Sequence, residues 1–191
     1  SEESGSCSLW SGRFEGRFEG FRMTVVSNAT PLIYLAKIRR IKLLKKVFGE
    51  VFIPEEVRAE VVDKGKMLGE RDAYIIEDAI RDGWIKVLRV EALEVPIKME
   101  LGEIAVLSLA KKHGIKEALV DEASARTAAR LMELTPRGTV YVLLKALELK
   151  EIDLSGFLEA LGDLVEKGFR LKEEVFLEAV REARKIAEKS K

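Results

Sequence analysis

Short apolar runs alternate with longer stretches of helical spacing along most of the chain. Short runs bounded by turn signals are typical of buried strands, and apolar positions that repeat at helical spacing are typical of amphipathic helices. Strands are predicted at residues 24–27, 50–54, 84–90 and 117–121, and residues 135–139 predict a turn or a short strand. Helices are predicted at residues 31–38, 39–48, 54–65, 69–83, 98–114, 122–134, 140–150, 154–167 and 172–188. Strands separated by helices predict one parallel sheet with helices on both faces.

The first 22 residues, SEESGSCSLWSGRFEGRFEGFR, differ from everything that follows. They are rich in Ser and Gly, lack periodicity and contain the short duplication GRFEGRFEG. Residues 1–22 are interpreted as an N-terminal extension, either an upstream addition or an arm that docks on a partner subunit through its aromatic side chains. Residues 23–191 are predicted to form a single domain.

Composition and charge narrow the class of protein. Lys and Arg number 33, and Asp and Glu also number 33, so the formal net charge is zero. This balance argues against a protein that coats nucleic acid or a membrane surface. No apolar run reaches the ~18 residues of a membrane helix. With a single cysteine, Cys7, and no secretory signal, the sequence predicts a cytoplasmic location.

The chain contains no Gln, and Asn28 is its only Asn. Charged residues make up 35% of the sequence. Many charges with few labile amides are typical of proteins from very hot environments, so a thermophilic origin is predicted.

Polar residues follow the predicted strands at positions where a site can form. Asn28 ends the first strand, Glu60 lies on the helix after the second, Glu103 lies near a helix start and Asp121 ends the run EALVD. The carboxyl ends of parallel strands converge on one edge of a sheet, and carboxylate oxygens suit Mg²⁺ or Mn²⁺. Non-catalytic interpretations remain open for each residue. Asn28 and Asp121 could be helix caps, Glu103 a dipole partner, and Glu60 a solvent-facing charge.

Basic residues offer two candidate contacts for phosphates. The first is the predicted helix RRIKLLKKVF, which carries five basic residues: Arg39, Arg40, Lys42, Lys45 and Lys46. A solvated helix face is the alternative interpretation. Arg126 and Arg130, on the helix after Asp121, could hold an RNA phosphate or form ion pairs with the acids. His113 is the only histidine, and its place before Gly114 favours a helix end over a role as a general base.

Five sequence blocks resemble, in order and spacing, a family of prokaryotic PIN-domain-like proteins. The blocks are VVSNATPLIYLAKI, VFIPEEVRAEVV, LGEIAVLSLA, ALVDEASARTAARL and RGTVYVLLKALELKEID. The resemblance runs from about Met23 to about Ala183. It implies a three-layer α/β/α PIN-like domain with a central parallel sheet and extra C-terminal helices. It also implies a ribonuclease that depends on Mg²⁺ or Mn²⁺ and cleaves single-stranded RNA. Many such proteins are toxins paired with an antitoxin protein, and related domains often form homodimers.

The resemblance assigns roles to particular positions. Glu60, Glu103 and Asp121 match catalytic acids that hold the metal ion. Asn28 stands at the first acid's position, and Glu122 is an additional ligand candidate. The supporting residues are Thr30, which matches a hydroxyl beside the first acid, and Thr139, which with Gly138 matches a turn near the site.

Asn28 is the departure from the family pattern. Its amide oxygen can coordinate a cation but adds no negative charge, so the acidic site is expected to be weakened. The alternative function is a non-catalytic PIN-like module that binds RNA or a protein partner.

Overall fold

The computed structural model describes residues 24–191, so the predicted extension at 1–22 lies outside the described residues. Five strands form one sheet: β1 (Val25–Ser27), β2 (Val51–Pro54), β3 (Ile85–Leu88), β4 (Glu117–Leu119) and β5 (Thr135–Arg137). All four strand pairings are parallel, in the order β3-β2-β1-β4-β5. The parallel sheet is confirmed, and residues 135–137 form a strand.

The central position of β1 in the sheet explains why its sequence is apolar. Val25 of β1 is in register with Val51 of β2 on one side and Glu117 of β4 on the other. Val25 and Val26 are fully buried, since helices cover both faces of an all-parallel sheet.

Ten α-helical segments surround the sheet in the described part of the chain. They are α1 (Ala29–Lys37), α2 (Lys42–Phe48), α3 (Glu55–Arg58), α4 (Gly65–Met67), α5 (Arg71–Arg81), α6 (Leu101–Lys112), α7 (Ala123–Leu131), α8 (Thr139–Glu148), α9 (Leu154–Glu166) and α10 (Glu173–Lys189). A π-helical segment, Ala59–Lys64, joins α3 to α4 without a break. Each predicted helix is present, with its ends shifted by a few residues.

The direction in which successive strands are added to the sheet reverses beside β1. The chain runs outward from β1 to β3, then crosses back to β4 and continues to β5. The helix of the return crossing, α6, therefore covers the opposite face of the sheet from α1 and α5. The helix α1 packs against α5, while α6 packs against β1, β2 and β4. The result is the predicted three-layer α/β/α architecture, and α8–α10 are the extra C-terminal helices.

The predicted basic helix is shorter than its sequence pattern indicates. It begins at Lys42, so Arg39 and Arg40 lie in the preceding turn and not on the helix. Arg39 adopts a left-handed conformation with φ of 60°. Its N–H donates to the carbonyl of Ala36 at 3.0 Å, which ends α1. A left-handed residue stops a helix, and periodicity alone does not reveal it.

Within residues 24–191, no helix is both long and apolar enough to cross a membrane.

Candidate active site

A cleft of about 690 Å³ opens at the carboxyl edge of the sheet, beside the reversal between β1 and β4. Ligand sites of open parallel sheets lie at such a position. Its lining comes from four separate parts of the chain: Asn28, Ala29, Thr30, Glu60, Lys98, Met99, Glu100, Gly102, Glu103, Glu122 and Ser124. Four of the five predicted ligand positions and Thr30 therefore lie on one cleft, while Asp121 lies next to it.

Asn28 is held in place by the sheet. Its backbone N–H donates to the carbonyl of Leu119 at 2.9 Å, which joins the ends of β1 and β4. Asn28 precedes α1 and is buried, but its side chain makes no capping hydrogen bond. Asn28 therefore occupies the N-cap position of α1, as the helix-cap interpretation expects, but its side chain takes no part in capping.

Glu60 and α6 meet across the cleft. A Cβ atom at Gly102 would lie 3.9 Å from Oε2 of Glu60, so the first turn of α6 lies close to this carboxylate. Glu60 belongs to the π-helical segment. Such wide turns shift side chains off regular helical positions and are frequent at functional sites.

Glu103 is a buried acid in the first turn of α6. Its Oε2 accepts a hydrogen bond from the backbone N–H of Glu100 at 3.2 Å. Burial raises the pKa of Glu103, although this hydrogen bond lowers it. The negative charges of three neighbouring acids raise its pKa further: Glu100, Glu122 and Glu60. These carboxylates are thus close enough to repel one another.

Asp121 is bound by a residue from the next strand–helix unit. Its Oδ1 accepts from the backbone N–H of Thr139 at 2.8 Å, and its Oδ2 accepts from the Thr139 hydroxyl at 2.7 Å. The residue that precedes α7 is Glu122, so Asp121 does not cap that helix; it receives the first N–H of α8 instead. Burial raises the pKa of Asp121, while both Thr139 bonds and the charge of Arg126 lower it.

Gly138 leaves the space that this arrangement needs. A Cβ atom there would lie 2.9 Å from Oδ1 of Asp121 and 3.2 Å from Nη1 of Arg126. The φ of Gly138 is −99°, so the requirement is for space and not for an unusual backbone conformation. The guanidinium of Arg126 also donates to the carbonyl of Val120 at 3.3 Å. Arg126 is therefore packed beside Asp121, and Arg130 follows one turn later on the exposed side of α7.

The basic segment of residues 39–46 lies at the opposite edge of the sheet. The helix α1 starts at the carboxyl end of β1 and returns toward the amino end, where β2 begins. Two of its cations pair with acids: Arg40 with Glu159 at 3.7 Å, and Lys46 with Glu151 at 2.9 Å. These residues are thus separated from the cleft.

The donor chemistry of the cleft fits a hard divalent cation. Carboxylate oxygens and an amide oxygen are the ligands that Mg²⁺ and Mn²⁺ take in proteins. A cation would also relieve the repulsion that raises the pKa of Glu103. In the conformation described for residues 24–191, no three His, Cys, Asp or Glu side chains form a group that could hold a metal ion.

A protein-family model described as the PIN domain matches residues 24–185. No curated protein and no solved structure gives a match to the chain. Because the family model spans most of the sequence, the chain belongs to the PIN-domain family, a family with a nuclease-type fold. The prediction of family and fold is confirmed.

Three polar residues that line the cleft were not predicted from the sequence: Lys98, Glu100 and Ser124. Glu100 had a local signal, because an acid three residues before Glu103 is the spacing at which a residue caps a helix. The predicted helix of residues 98–114 included Lys98, whereas in the structure the helix begins at Leu101 and Lys98 lies in residues 89–100, which have neither helix nor strand.

Proposed function

We propose that this PIN domain is a divalent-metal-dependent endoribonuclease that hydrolyses phosphodiester bonds of single-stranded RNA. The observation that supports this function is the acid-lined cleft at the carboxyl edge of a PIN-family sheet. Clustered carboxylates without a compensating cation are costly, and a nuclease metal ion supplies that compensation.

The metal ligands in this proposal are Asn28, Glu60, Glu103, Asp121 and Glu122. When bound, Mg²⁺ or Mn²⁺ supplies a nucleophilic water and offsets negative charge on the leaving oxygen. Thr139 holds the Asp121 carboxylate in one orientation through its two hydrogen bonds. Thr30, on the cleft wall beside Asn28, supports the first ligand position.

Asn28 sets the strength of this site. An amide oxygen can coordinate a cation, but it contributes no negative charge and cannot take a proton from water. We therefore expect weaker metal binding than with an acid at this position. Arg126 and Arg130 are proposed to hold an RNA phosphate on the α7 side of Asp121.

The test is Mn²⁺-dependent cleavage of single-stranded RNA by the parent protein, Asn28→Asp and Asp121→Ala. Cleavage by the parent that Asp121→Ala abolishes supports the nuclease and identifies Asn28 as a tolerated ligand. Cleavage by Asn28→Asp alone means that this residue has silenced the site. If none of the three proteins cleaves RNA or binds Mn²⁺, the nuclease proposal is wrong.

A non-catalytic module that binds RNA or protein is the second candidate. Two observations favour it: Asn28 replaces an acid, and both Asp121 oxygens already accept hydrogen bonds. This candidate predicts RNA binding that survives chelation and falls when the charges of Arg39, Arg40 and Lys42 are reversed. Loss of binding on chelation would contradict it.

A protein partner, either an antitoxin or a second copy of the chain, forms part of the proposal. Apolar side chains are exposed where α4 turns into α5: Met67 is 88% exposed, Leu68 67% and Tyr74 53%. Neighbouring exposed apolar residues are typical of protein interfaces. Light scattering with parent protein and Leu68→Lys tests self-association, because a charge at such an interface lowers the mass of an assembly.

A further inference from the structure

Lys98 introduces a positive charge into an otherwise acidic cleft. Among the described residues, it is the one basic side chain that lines the cleft. Four carboxylates share that lining: Glu60, Glu100, Glu103 and Glu122. Lys98 belongs to residues 89–100, here called the strap, which connects β3 to α6.

The strap holds Lys98 at the rim of the cleft. The backbone N–H of Leu93 donates to the hydroxyl of Ser108 on α6 at 2.9 Å, which fixes the strap to that helix. On either side of Lys98, Ile97 and Met99 pack against the hydrophobic core. Lys98 itself is exposed. Its backbone is therefore anchored while its side chain stays accessible.

The ammonium group of Lys98 is not engaged by the acids around it. Within residues 24–191, Lys98 makes no ion pair and no hydrogen bond. Lysines elsewhere on the domain do pair with nearby acids, as Lys86 does with Glu50 at 3.0 Å. The charges that act on Glu103 are also all negative. Lys98 is thus free to bind an anion that enters the cleft.

We propose that Lys98 binds a backbone phosphate of single-stranded RNA at the mouth of the cleft. This inference rests on the proposed function and names a further substrate-binding residue for it. A phosphodiester that approaches four carboxylates is repelled, and a cation at the rim offsets part of that repulsion. Lysine binds phosphate as a point charge and does not read the bases, so the contact is independent of sequence.

The experiment measures binding of a short fluorescein-labelled oligouridine by fluorescence anisotropy over a series of salt concentrations. Binding is measured in EDTA and, in the Asp121→Ala background, in Mn²⁺. The variants are Lys98→Ala, Lys98→Arg and the matched control Lys112→Ala. Lys112 is also exposed, but it ends α6 nine residues beyond Glu103, which is about 14 Å along the helix. Calorimetry gives the Mn²⁺ affinity of each protein.

The expected result is that Lys98→Ala weakens RNA binding on the order of fivefold and lowers the salt slope by about 0.7, the value for one phosphate of a single strand. Lys98→Arg should restore binding, and Lys112→Ala should match the parent.

Two outcomes overturn the inference alone. In the first, the parent binds RNA and Lys98→Ala changes neither its affinity nor its salt slope. In the second, Lys98→Ala leaves RNA binding intact and tightens Mn²⁺ binding more than about tenfold, which would identify Lys98 as an internal counter-ion. In both cases, Mn²⁺-dependent cleavage by the parent still tests whether the proposed nuclease function is correct. If the parent neither binds nor cleaves RNA, the proposed function fails and the inference fails with it.

Discussion

Thr139 donates two hydrogen bonds to the carboxylate of Asp121, one from its backbone N–H and one from its hydroxyl. The two residues are 18 positions apart and belong to adjacent strand–helix units. The bonds join the end of β4 to the start of α8, where the positive end of the helix dipole also favours an anion. The orientation of Asp121 is therefore set before any ligand arrives.

We expect Thr139→Val to destabilise the protein by about 1.5–3 kcal/mol, because it removes a hydrogen bond to a partly buried charged group while nearly preserving side-chain volume. The matched control is Thr127→Val. The hydroxyl of Thr127 is exposed and donates only to Ala123 of its own helix, at 3.0 Å. Urea unfolding of both variants measures the difference, and equal losses would contradict the importance of the Asp121 contact.

Gly138→Ala should displace the Asp121 carboxylate, since the new Cβ would lie 2.9 Å from Oδ1. We expect a loss of about 1–3 kcal/mol from this overpacking. Gly162→Ala is the control, because a Cβ atom at Gly162 in α9 meets nothing within 4 Å. Alanine at that helical position should stabilise by roughly 0.5–1 kcal/mol. Thermal unfolding of the two variants should give shifts of opposite sign; a neutral Gly138→Ala would mean that the carboxylate moves freely.

The pH dependence of stability should reveal the raised pKa of Glu103. Burial raises its folded-state pKa above the ordinary value of 4.5, so the folded protein binds this proton more tightly than the unfolded chain does. The resulting stabilisation is present below pH 4.5 and is lost as the pH rises through the folded-state pKa. In EDTA at neutral pH, Glu103→Gln should therefore unfold at a higher temperature than the parent, and the difference should shrink toward pH 4.5.

Mn²⁺ should reverse that order, because the parent gains binding free energy that Glu103→Gln lacks. At a Mn²⁺ concentration of about 100 times Kd the gain is about 2.7 kcal/mol. Glu91→Gln, an exposed acid on the strap, controls for the loss of one negative charge. The same response to Mn²⁺ in parent and Glu103→Gln would remove Glu103 from the ligand set.

A largely buried ion pair between β4 and β5 should depend on pH in a different way from Glu103. Arg137 lies 3.5 Å from Glu117 and above the ring of Tyr141, with 4.3 Å to its centroid. We expect Arg137→Met to cost about 3–5 kcal/mol at neutral pH, because Glu117 would be left largely buried with Lys145 as the remaining cation that acts on it. Burial raises the pKa of Glu117 and Arg137 lowers it, so the loss should shrink in acid as Glu117 takes up a proton.

Lys86→Met supplies the comparison for the Arg137 prediction. It breaks a more exposed pair with Glu50, 3.0 Å long, and should cost only about 0–1 kcal/mol. Urea unfolding at neutral pH and in acid measures both variants. A small loss for Arg137→Met would show that Glu117 is hydrated in the folded protein.

The sequence determined the order of the secondary-structure elements and the positions of the polar residues that follow the strands. Apolar periodicity depends on neighbouring residues, so the strands and helices could be predicted locally. The expectation that Asn28, Glu60 and Glu103 share one edge also came from the sequence, because parallel strands bring their carboxyl ends together, but residue spacing alone did not establish it.

Only the tertiary structure decided which side chains meet. Thr139 reaches Asp121 because β5 pairs with β4, and the strap brings Lys98 to the cleft without any local pattern. The basic residues 39–46 share a sequence pattern with phosphate-binding helices, yet the direction of α1 carries them to the far edge. Local periodicity determines an element and its buried face, whereas contacts between distant residues depend on how the elements pack.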